Sequence, residues 1–277
     1  MSEKLRDAIL GLAIGDALGV PYEFRARGSF TCTDMVGFGA HHQPLGTWSD
    51  DTAMALATMM AIKSQGGRIV IDTIRENFEA WLKEGAFTAN GDVFDVGNTT
   101  WKALTTGQPC VGPMENGNGS LMRILPLAFT GAIDEEIRAV SAITHGHPIS
   151  MEACVIYVEV ARRLLDGELI GDILPTLCYA HPFERLSHLA ELPEEKIKSS
   201  GFVLDTLEAA LWAVCQAVDA EDPFADAVLR AVNLGEDTDT VGAVAGGLAG
   251  IAFGLKGQGE KWAKQLRNRE LILECMW

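Results

Sequence analysis

The sequence has no CxxC pair and no zinc-finger spacing. Its six cysteines, Cys32, Cys110, Cys154, Cys178, Cys215 and Cys275, are scattered over 277 residues. That spread excludes a thiolate zinc site and reads as a reduced, cytoplasmic protein. Positive charge is also short: 38 Asp plus Glu against 22 Lys plus Arg leave a net charge of −16 at pH 7. This disfavours nucleic acid, whose phosphates need Lys and Arg to neutralise them, and anionic membrane surfaces. No apolar run reaches the roughly 20 residues of a membrane span. The short run Ala8 to Ile14 is bracketed by Asp7 and Asp16, and no signal-peptide cleavage site follows it. Histidine is scarce, six in all, so an imidazole-rich zinc site is not expected. No Ser/Gly/Pro linker and no repeat of solenoid period divides the chain. A single domain over 1–277 is expected, with the polar stretch Glu184 to Gly201 an excursion from it.

What the chain does contain is helical periodicity, together with enough apolar residues (48%) to bury a sizeable core. Leu5, Ala8, Ile9, Leu12, Ala13 and Asp16 follow the i, i+3, i+4 rhythm of one helix face. Similar stripes run through Ile74, Phe78, Trp81 and Leu82, through Val155, Val158, Ala161 and Leu165, and through Leu204, Leu207, Leu211, Val214 and Val218. Alternation of period two is nearly absent, with Arg68 to Ile71 the one stretch that suggests it. An all-α fold of ten or more helices is therefore predicted, at an ordinary helix length of about 11–12 residues.

Two of these segments carry glycines at every fourth position: Gly11, Gly15 and Gly19, then Gly242, Gly246, Gly250 and Gly254. Glycine inside a helix costs about 1 kcal/mol relative to alanine, so such ridges require a reason. A membrane GxxxG helix is the weaker one, because Val241 to Leu255 is too short to span. Close packing of core helices is the stronger, with the two ridges set against each other. If those helices are antiparallel, the Asp16 end of the first meets the Asp239 start of the second.

The clearest chemical signal is a pair of acidic clusters far apart in sequence. Ser49-Asp50-Asp51-Thr52 precedes the helical run Ala53 to Ile62, and Asp237-Thr238-Asp239-Thr240 precedes Val241 to Leu255. Either alone can be helix capping, favoured by the helix dipole. Together they offer four carboxylates and adjoining hydroxyls, which would repel one another unless cations offset the charge. Hard divalent cations take such oxygen ligands, so one or two Mg²⁺ or Mn²⁺ ions between two helix N-termini are expected. Asp16 continues an apolar stripe and should be buried, which obliges it to be hydrogen-bonded, paired or metal-bound. Glu23 lies just beyond Pro21, which should end the first helix.

At this point the chain resembles the ADP-ribosylglycohydrolases. The likeness rests on Gly11-Leu12-Ala13-Ile14-Gly15-Asp16-Ala17-Leu18-Gly19 with Glu23, on Ser49-Asp50-Asp51-Thr52, and on Asn116-Gly117-Asn118-Gly119-Ser120-Leu121-Met122-Arg123. It continues through Thr144-His145-Gly146-His147-Pro148 and Gly235-Glu236-Asp237-Thr238-Asp239-Thr240, all in family order. The resemblance implies an all-α fold around two Mg²⁺ or Mn²⁺ ions that binds ADP-ribose and hydrolyses its bond to an acceptor. ADP-ribosylated arginine on protein is the leading acceptor, and O-linked ADP-ribose on serine or in O-acetyl-ADP-ribose is the alternative. It further implies that Ser49, Asp50, Asp51 and Asp239 hold one metal and that Glu23, Asp237, Asp239 and Thr240 hold the other. Asp95 resembles an acid that some members place near the scissile bond, so Asp95, Glu23 and Asp51 are the catalytic candidates. Asn116, Asn118, Gly119, Ser120 and His145 become candidate contacts to phosphate or ribose. The expected partner is an ADP-ribosylated protein or small ADP-ribose conjugate, met by a monomer. Two positions depart from the family pattern: Glu236 stands where Gly is common, and Ser49 where Thr is frequent.

Other readings of the same residues remain open at this level. Asp95 can be a loop carboxylate in a turn with Gly97 and Asn98. Asn116 to Ser120 can be a tight turn, since no third glycine completes GxGxxG and no strand precedes it. His145 and His147 form HxH, which also opens the metal site of amidohydrolase barrels, but only His181 and His188 follow. His145 is read as a ligand contact and Pro148 as the start of a helix. A non-catalytic ADP-ribose or metal-binding protein on the same fold, or a helical interaction module whose acids merely cap helices, are the rival functions.

Overall fold

The structure is a computed structural model that describes residues 2–277. Twelve α-helices and no β-strand occur among the described residues. In chain order they are α1 (Glu3–Gly19), α2 (Asp50–Ser64), α3 (Ile71–Glu84), α4 (Asn98–Thr106), α5 (Asp134–Ser141) and α6 (Pro148–Leu165). There follow α7 (Ile170–Ile173), α8 (Val203–Gln216), α9 (Pro223–Asn233), α10 (Thr238–Phe253), α11 (Gln258–Gln265) and α12 (Arg269–Cys275). The all-α reading of the sequence is thus correct. The Arg68 to Ile71 stretch is not a strand, since Val70 leads directly into α3.

Local chemistry sets several helix starts. The Ser2 hydroxyl accepts from Leu5 N at 3.1 Å to open α1, and Asp222 accepts from Ala225 N ahead of Pro223 in α9. At α6 Pro148 takes the first helical position, and the His147 ring accepts from Ile149 N at 3.2 Å. The second histidine of HxH is therefore a helix cap. Glu184 to Gly201 folds back as the 3₁₀ turns Glu184–Glu191 and Glu194–Lys196, burying Leu186 and Leu189. The Trp212 indole and Gln216 amide of α8 donate to Leu192 O and Ala190 O, tying this excursion down.

α1 and α10 occupy the middle of the molecule. Beyond the charged first turn of α1, both are buried on nearly every side, which is the pattern of a helix surrounded by others rather than one facing water. They run antiparallel with their glycine ridges in register, Gly11 against Gly246 and Gly15 against Gly242. A Cβ on Gly15 would stand 1.9 Å from Gly242 O, and one on Gly246 would stand 2.2 Å from Gly11 O. Gly250 meets the carbonyl of Asp7 in the same way, and Gly19 meets the backbone of Asp239. Gly254 lies beyond the helix, at a positive φ of 71°. Around this pair α2, α6, α8, α9 and α11 complete one continuous core that runs from Leu5 to Met276.

Because the colliding atoms are backbone, no rotamer change relieves them. Gly15→Ala is expected to lower stability by about 3 kcal/mol, even though alanine gains ~1 kcal/mol over glycine in helix propensity. Urea unfolding would measure it, and an unchanged or higher midpoint would contradict the packing described.

Candidate active site

The glycine register brings the C-terminal end of α1 against the N-terminal end of α10. A Cβ on Gly19 would lie 2.3 Å from the Asp239 Cα, and the Thr238 hydroxyl donates to Gly19 O at 2.8 Å. Asp16, fully buried one turn earlier, then fastens a third helix end to the same place. Its carboxylate accepts from Ser49 N (2.9 Å), Thr52 N (3.0 Å) and the Thr52 hydroxyl (2.6 Å), so it anchors the start of α2. After α1, Pro21 sits in the middle of the 3₁₀ turn Val20–Tyr22, and Glu23 follows directly, 6% exposed. Both acidic clusters and Glu23 therefore converge, although they are far apart in the chain.

The acids are packed tightly enough to disturb one another. Glu23, His41, Asp95 and Asp239 present one ligand atom each within 4.8 Å of one another, and so do Asp16, Asp51 and Asp239. Burial, and after it the neighbouring carboxylates, push Asp50, Asp51 and Asp239 well above the usual carboxylate range. Burial also lifts Asp237, against the pull of Asn118, whose amide donates to Asp237 Oδ2 at 2.8 Å. Burial raises Glu23 to about 7, partly offset by its hydrogen bond with His41. It raises Asp16 to about 6, moderated by the donors from Thr52 and Ser49.

Ser49 donates to Asp51 Oδ2 at 2.9 Å, and Thr240 N donates to Asp239 Oδ1 at 2.9 Å. The other oxygens, Asp51 Oδ1 and Asp239 Oδ2, are buried with no hydrogen-bond partner. A buried carboxylate oxygen without a donor is costly, and here two stand within one cluster of hard oxygen ligands. That donor set fits a divalent cation of the Mg²⁺ or Mn²⁺ type.

Above the acids opens a cleft of about 400 Å³. Glu23, Asp50, Asp237 and Thr240 reach its floor, while Ser49, Asp51 and Asp239 lie buried beneath. One wall is Asp95 to Thr100, where α4 begins with Gly97 as its cap and no side chain bonds the first amides. Helix starts of this kind attract anions. Gly117, Asn118, Gly119, Met122 and His145 continue the lining. Gly119 has no space for a side chain, because a Cβ would stand 2.8 Å from the His145 ring and 3.1 Å from the Thr100 hydroxyl.

His145 is held by a buried relay. Arg123, stacked on Phe78 at 4.3 Å, donates from Nη2 to the Thr144 hydroxyl, which lies 2.7 Å from His145 Nδ1. Nδ1 is the one acceptor within reach of the Thr144 hydroxyl, so the arrangement that uses its proton directs it to Nδ1 and leaves the ring hydrogen on Nε2. Burial, reinforced by Arg123, lowers His145 to about 3, so it is a neutral donor at the cleft wall.

Two of the residues expected at the site lie elsewhere. The Ser120 side chain is fully buried, receiving a 2.9 Å hydrogen bond from the Ser141 hydroxyl, so it belongs to the core rather than the cleft. Asn116 stands outside the lining, its carbonyl bonded to Val203 N. Glu236, next to Asp237 in sequence, lies away from the cluster. It is exposed and lines a separate hollow with Arg27, Lys198 and Asp205. Its φ of 60° explains the glycine that is common there, because the backbone is left-handed. His41 was not foreseen. It sits on the 3₁₀ turn Gly39–His41, its Nε2 in direct contact with Glu23 Oε2 and 3.9 Å from Asp95 Oδ1. The His41-His42 pair was visible in the sequence, but no periodicity or spacing tied it to the acids.

These acids titrate higher in the folded chain than in the unfolded one, so the folded chain binds the extra protons. Stability from this source is present below the ordinary carboxylate values and is lost as pH rises past about 6 for Asp16 and about 7 for Glu23. Chelator-treated protein should therefore melt at a higher temperature at pH 5 than at pH 8, and the difference should shrink in Asp51→Asn. A metal-free protein more stable at pH 8 would contradict this.

Comparison with known proteins bears on the site as a whole. A family model described as ADP-ribosylglycohydrolase matches residues 1–276. The chain is 34% identical to an ADP-ribosylarginine hydrolase of Serratia proteamaculans, over 98% of its own length and 77% of that protein. It is 31% identical to an ADP-ribosyl-dinitrogen reductase glycohydrolase of Rhodospirillum rubrum, over 95% of its own length and 90% of that protein. Among solved structures, a chain of an ADP-ribosylglycohydrolase-related protein complex superposes with a TM-score of 0.82 at 30% identity, covering 99% of this chain and 95% of that one.

Proposed function

Because the chain belongs to the ADP-ribosylglycohydrolase family, we propose that it is a divalent-cation-dependent hydrolase that releases ADP-ribose from modified arginine side chains of proteins. The observation that carries the metal dependence is the pair of partnerless buried oxygens, Asp51 Oδ1 and Asp239 Oδ2, beneath an acid-floored cleft. Ser49, Asp50, Asp51 and Asp239 would hold one Mg²⁺ or Mn²⁺, and Glu23, Asp237, Asp239 and Thr240 a second. Such ions, when bound, supply a water of lowered pKa and anchor points for the vicinal hydroxyls of the distal ribose.

The chain's own residues account for the remainder. Asp95, at the cleft wall with a side chain 21% exposed, can take a proton from the attacking water and return one to the leaving guanidine. The anomeric C–N bond breaks, the C–O bond of free ADP-ribose forms, and arginine leaves protonated. The start of α4, the amides of Gly117 to Gly119 and the neutral His145 Nε2–H suit the diphosphate and ribose oxygens. The Asp95 carboxylate at the cleft wall favours a cationic guanidinium acceptor, and the similarity to an ADP-ribosylarginine hydrolase supports the same linkage. A serine or O-acetyl linkage lacks that positive charge.

Incubation with arginine-, serine- and O-acetyl-linked ADP-ribose, in Mg²⁺ and in Mn²⁺, tests this reading. Release from the arginine conjugate is expected, with Asp95→Asn lowering kcat by about 10²–10⁴-fold while ADP-ribose still binds. Binding of ADP-ribose without release from any conjugate, under either metal, would reject the hydrolase in favour of a non-catalytic binder.

A further inference from the structure

His41 belongs to none of the sequence blocks that carry the family resemblance, yet it is built into the acid cluster. The turn that bears it is fixed from both sides. Phe38, Gly39 and His42 all have positive φ, and Phe38 N donates to Gln43 O to close the loop. Gly39 presses on the turn that precedes Glu23: a Cβ there would stand 2.1 Å from Pro21 O. That contact places His41 beside Glu23. The imidazole is then oriented by two aromatic rings, Phe24 at 5.9 Å and Phe94 at 5.2 Å between centroids. Its Nε2 faces Glu23 and Asp95, and these three side chains and Asp239 bring their ligand atoms within 4.8 Å of one another. Asp239 contributes the independent observation, since its Oδ2 is fully buried and has no partner.

We propose that His41, through Nε2, is a ligand of the cation held by Glu23, Asp237, Asp239 and Thr240, making that position a mixed nitrogen–oxygen site that selects Mn²⁺ over Mg²⁺. The inference rests on the metal-dependent reading above. Carboxylate and hydroxyl oxygens alone suit Mg²⁺, whereas an imidazole favours transition metals, whose affinities for a given nitrogen-bearing site rise above that of Mg²⁺. A nitrogen also distinguishes this half of the centre from the half at Ser49, Asp50 and Asp51, where no histidine is near. The two positions should therefore differ in metal preference, with the His41 side the more selective.

The test is binding and spectroscopy on the full chain. Calorimetric titration of metal-free protein should give tighter binding of Mn²⁺ than of Mg²⁺. His41→Ala should weaken Mn²⁺ by no less than the ~10–100-fold that even outer-shell partners of a metal carry, and change Mg²⁺ far less. Electron spin-echo spectra of the Mn²⁺-loaded protein should show modulation from a directly bound nitrogen that changes with ¹⁵N-histidine labelling and disappears in His41→Ala. His42→Ala, one residue away and exposed, should leave both readouts as they are. Melting curves in chelator establish that the variants fold, and His41→Gln carries the same readouts should the alanine variant not fold. Unchanged or tighter Mn²⁺ binding in His41→Ala, with the nitrogen signal retained, would make His41 only an ion-pair partner of Glu23 and overturn the proposal. Failure of the unaltered protein to bind either metal would overturn this proposal and the metal-dependent reading together.

Discussion

Backbone-to-backbone contact between α1 and α10 is the constraint from which the rest of the molecule follows. With glycine at Gly11, Gly15, Gly242 and Gly246 the two helices touch without side chains between them. Their relative position is consequently set by main-chain atoms, which cannot adjust as side chains do. The register that places Gly15 on Gly242 also places Gly19 on Asp239. The acidic end of α10 is thus delivered to the end of α1 by geometry that no nearby charge has to enforce. The helix-propensity cost of the glycines is offset by the burial of both helices along most of their length.

That rigidity matters because the cluster it assembles works against folding. Burial and mutual repulsion both raise the proton affinity of Asp50, Asp51 and Asp239. Left to itself such a group would drift apart or take up protons. Asp16 holds the α2 side by accepting backbone and hydroxyl donors from Ser49 and Thr52, and Thr238 holds the α10 side through Gly19 O. These are structural acids and hydroxyls that position others, interleaved in sequence with the residues that face the cleft. The packing around them keeps two carboxylate oxygens, Asp51 Oδ1 and Asp239 Oδ2, unpaired in the interior.

Much of this could be read from residues alone. The four-residue glycine spacing indicated close helix packing, and the pairing it suggested is the one that exists. The acidic dipeptides ahead of two apolar runs pointed to one oxygen-rich centre, since neither helix needed so many caps. The placement of other residues depended on contacts that spacing along the chain does not show. Ser120 belongs to a motif that lines the cleft, but its own side chain is buried in the core, where its hydroxyl accepts from Ser141. Glu236 is beside the metal-type acids in sequence, but a left-handed backbone turns its side chain outward. His147 shares a motif with His145, yet it caps α6 while its neighbour enters the cleft.

Composition, periodicity and motif order by themselves determined the helical class, the apolar central helices and the identity of most acids in the centre. These are properties of chemistry at short range, where spacing along a helix translates directly into which face a residue occupies. Tertiary structure alone decided that Asp16 is an anchor, that two carboxylate oxygens lack donors, and that His41 joins the acids from a loop without periodicity. Each of those depends on segments brought together across long stretches of chain, and the partner of a buried polar atom is settled only when the packing around it is complete.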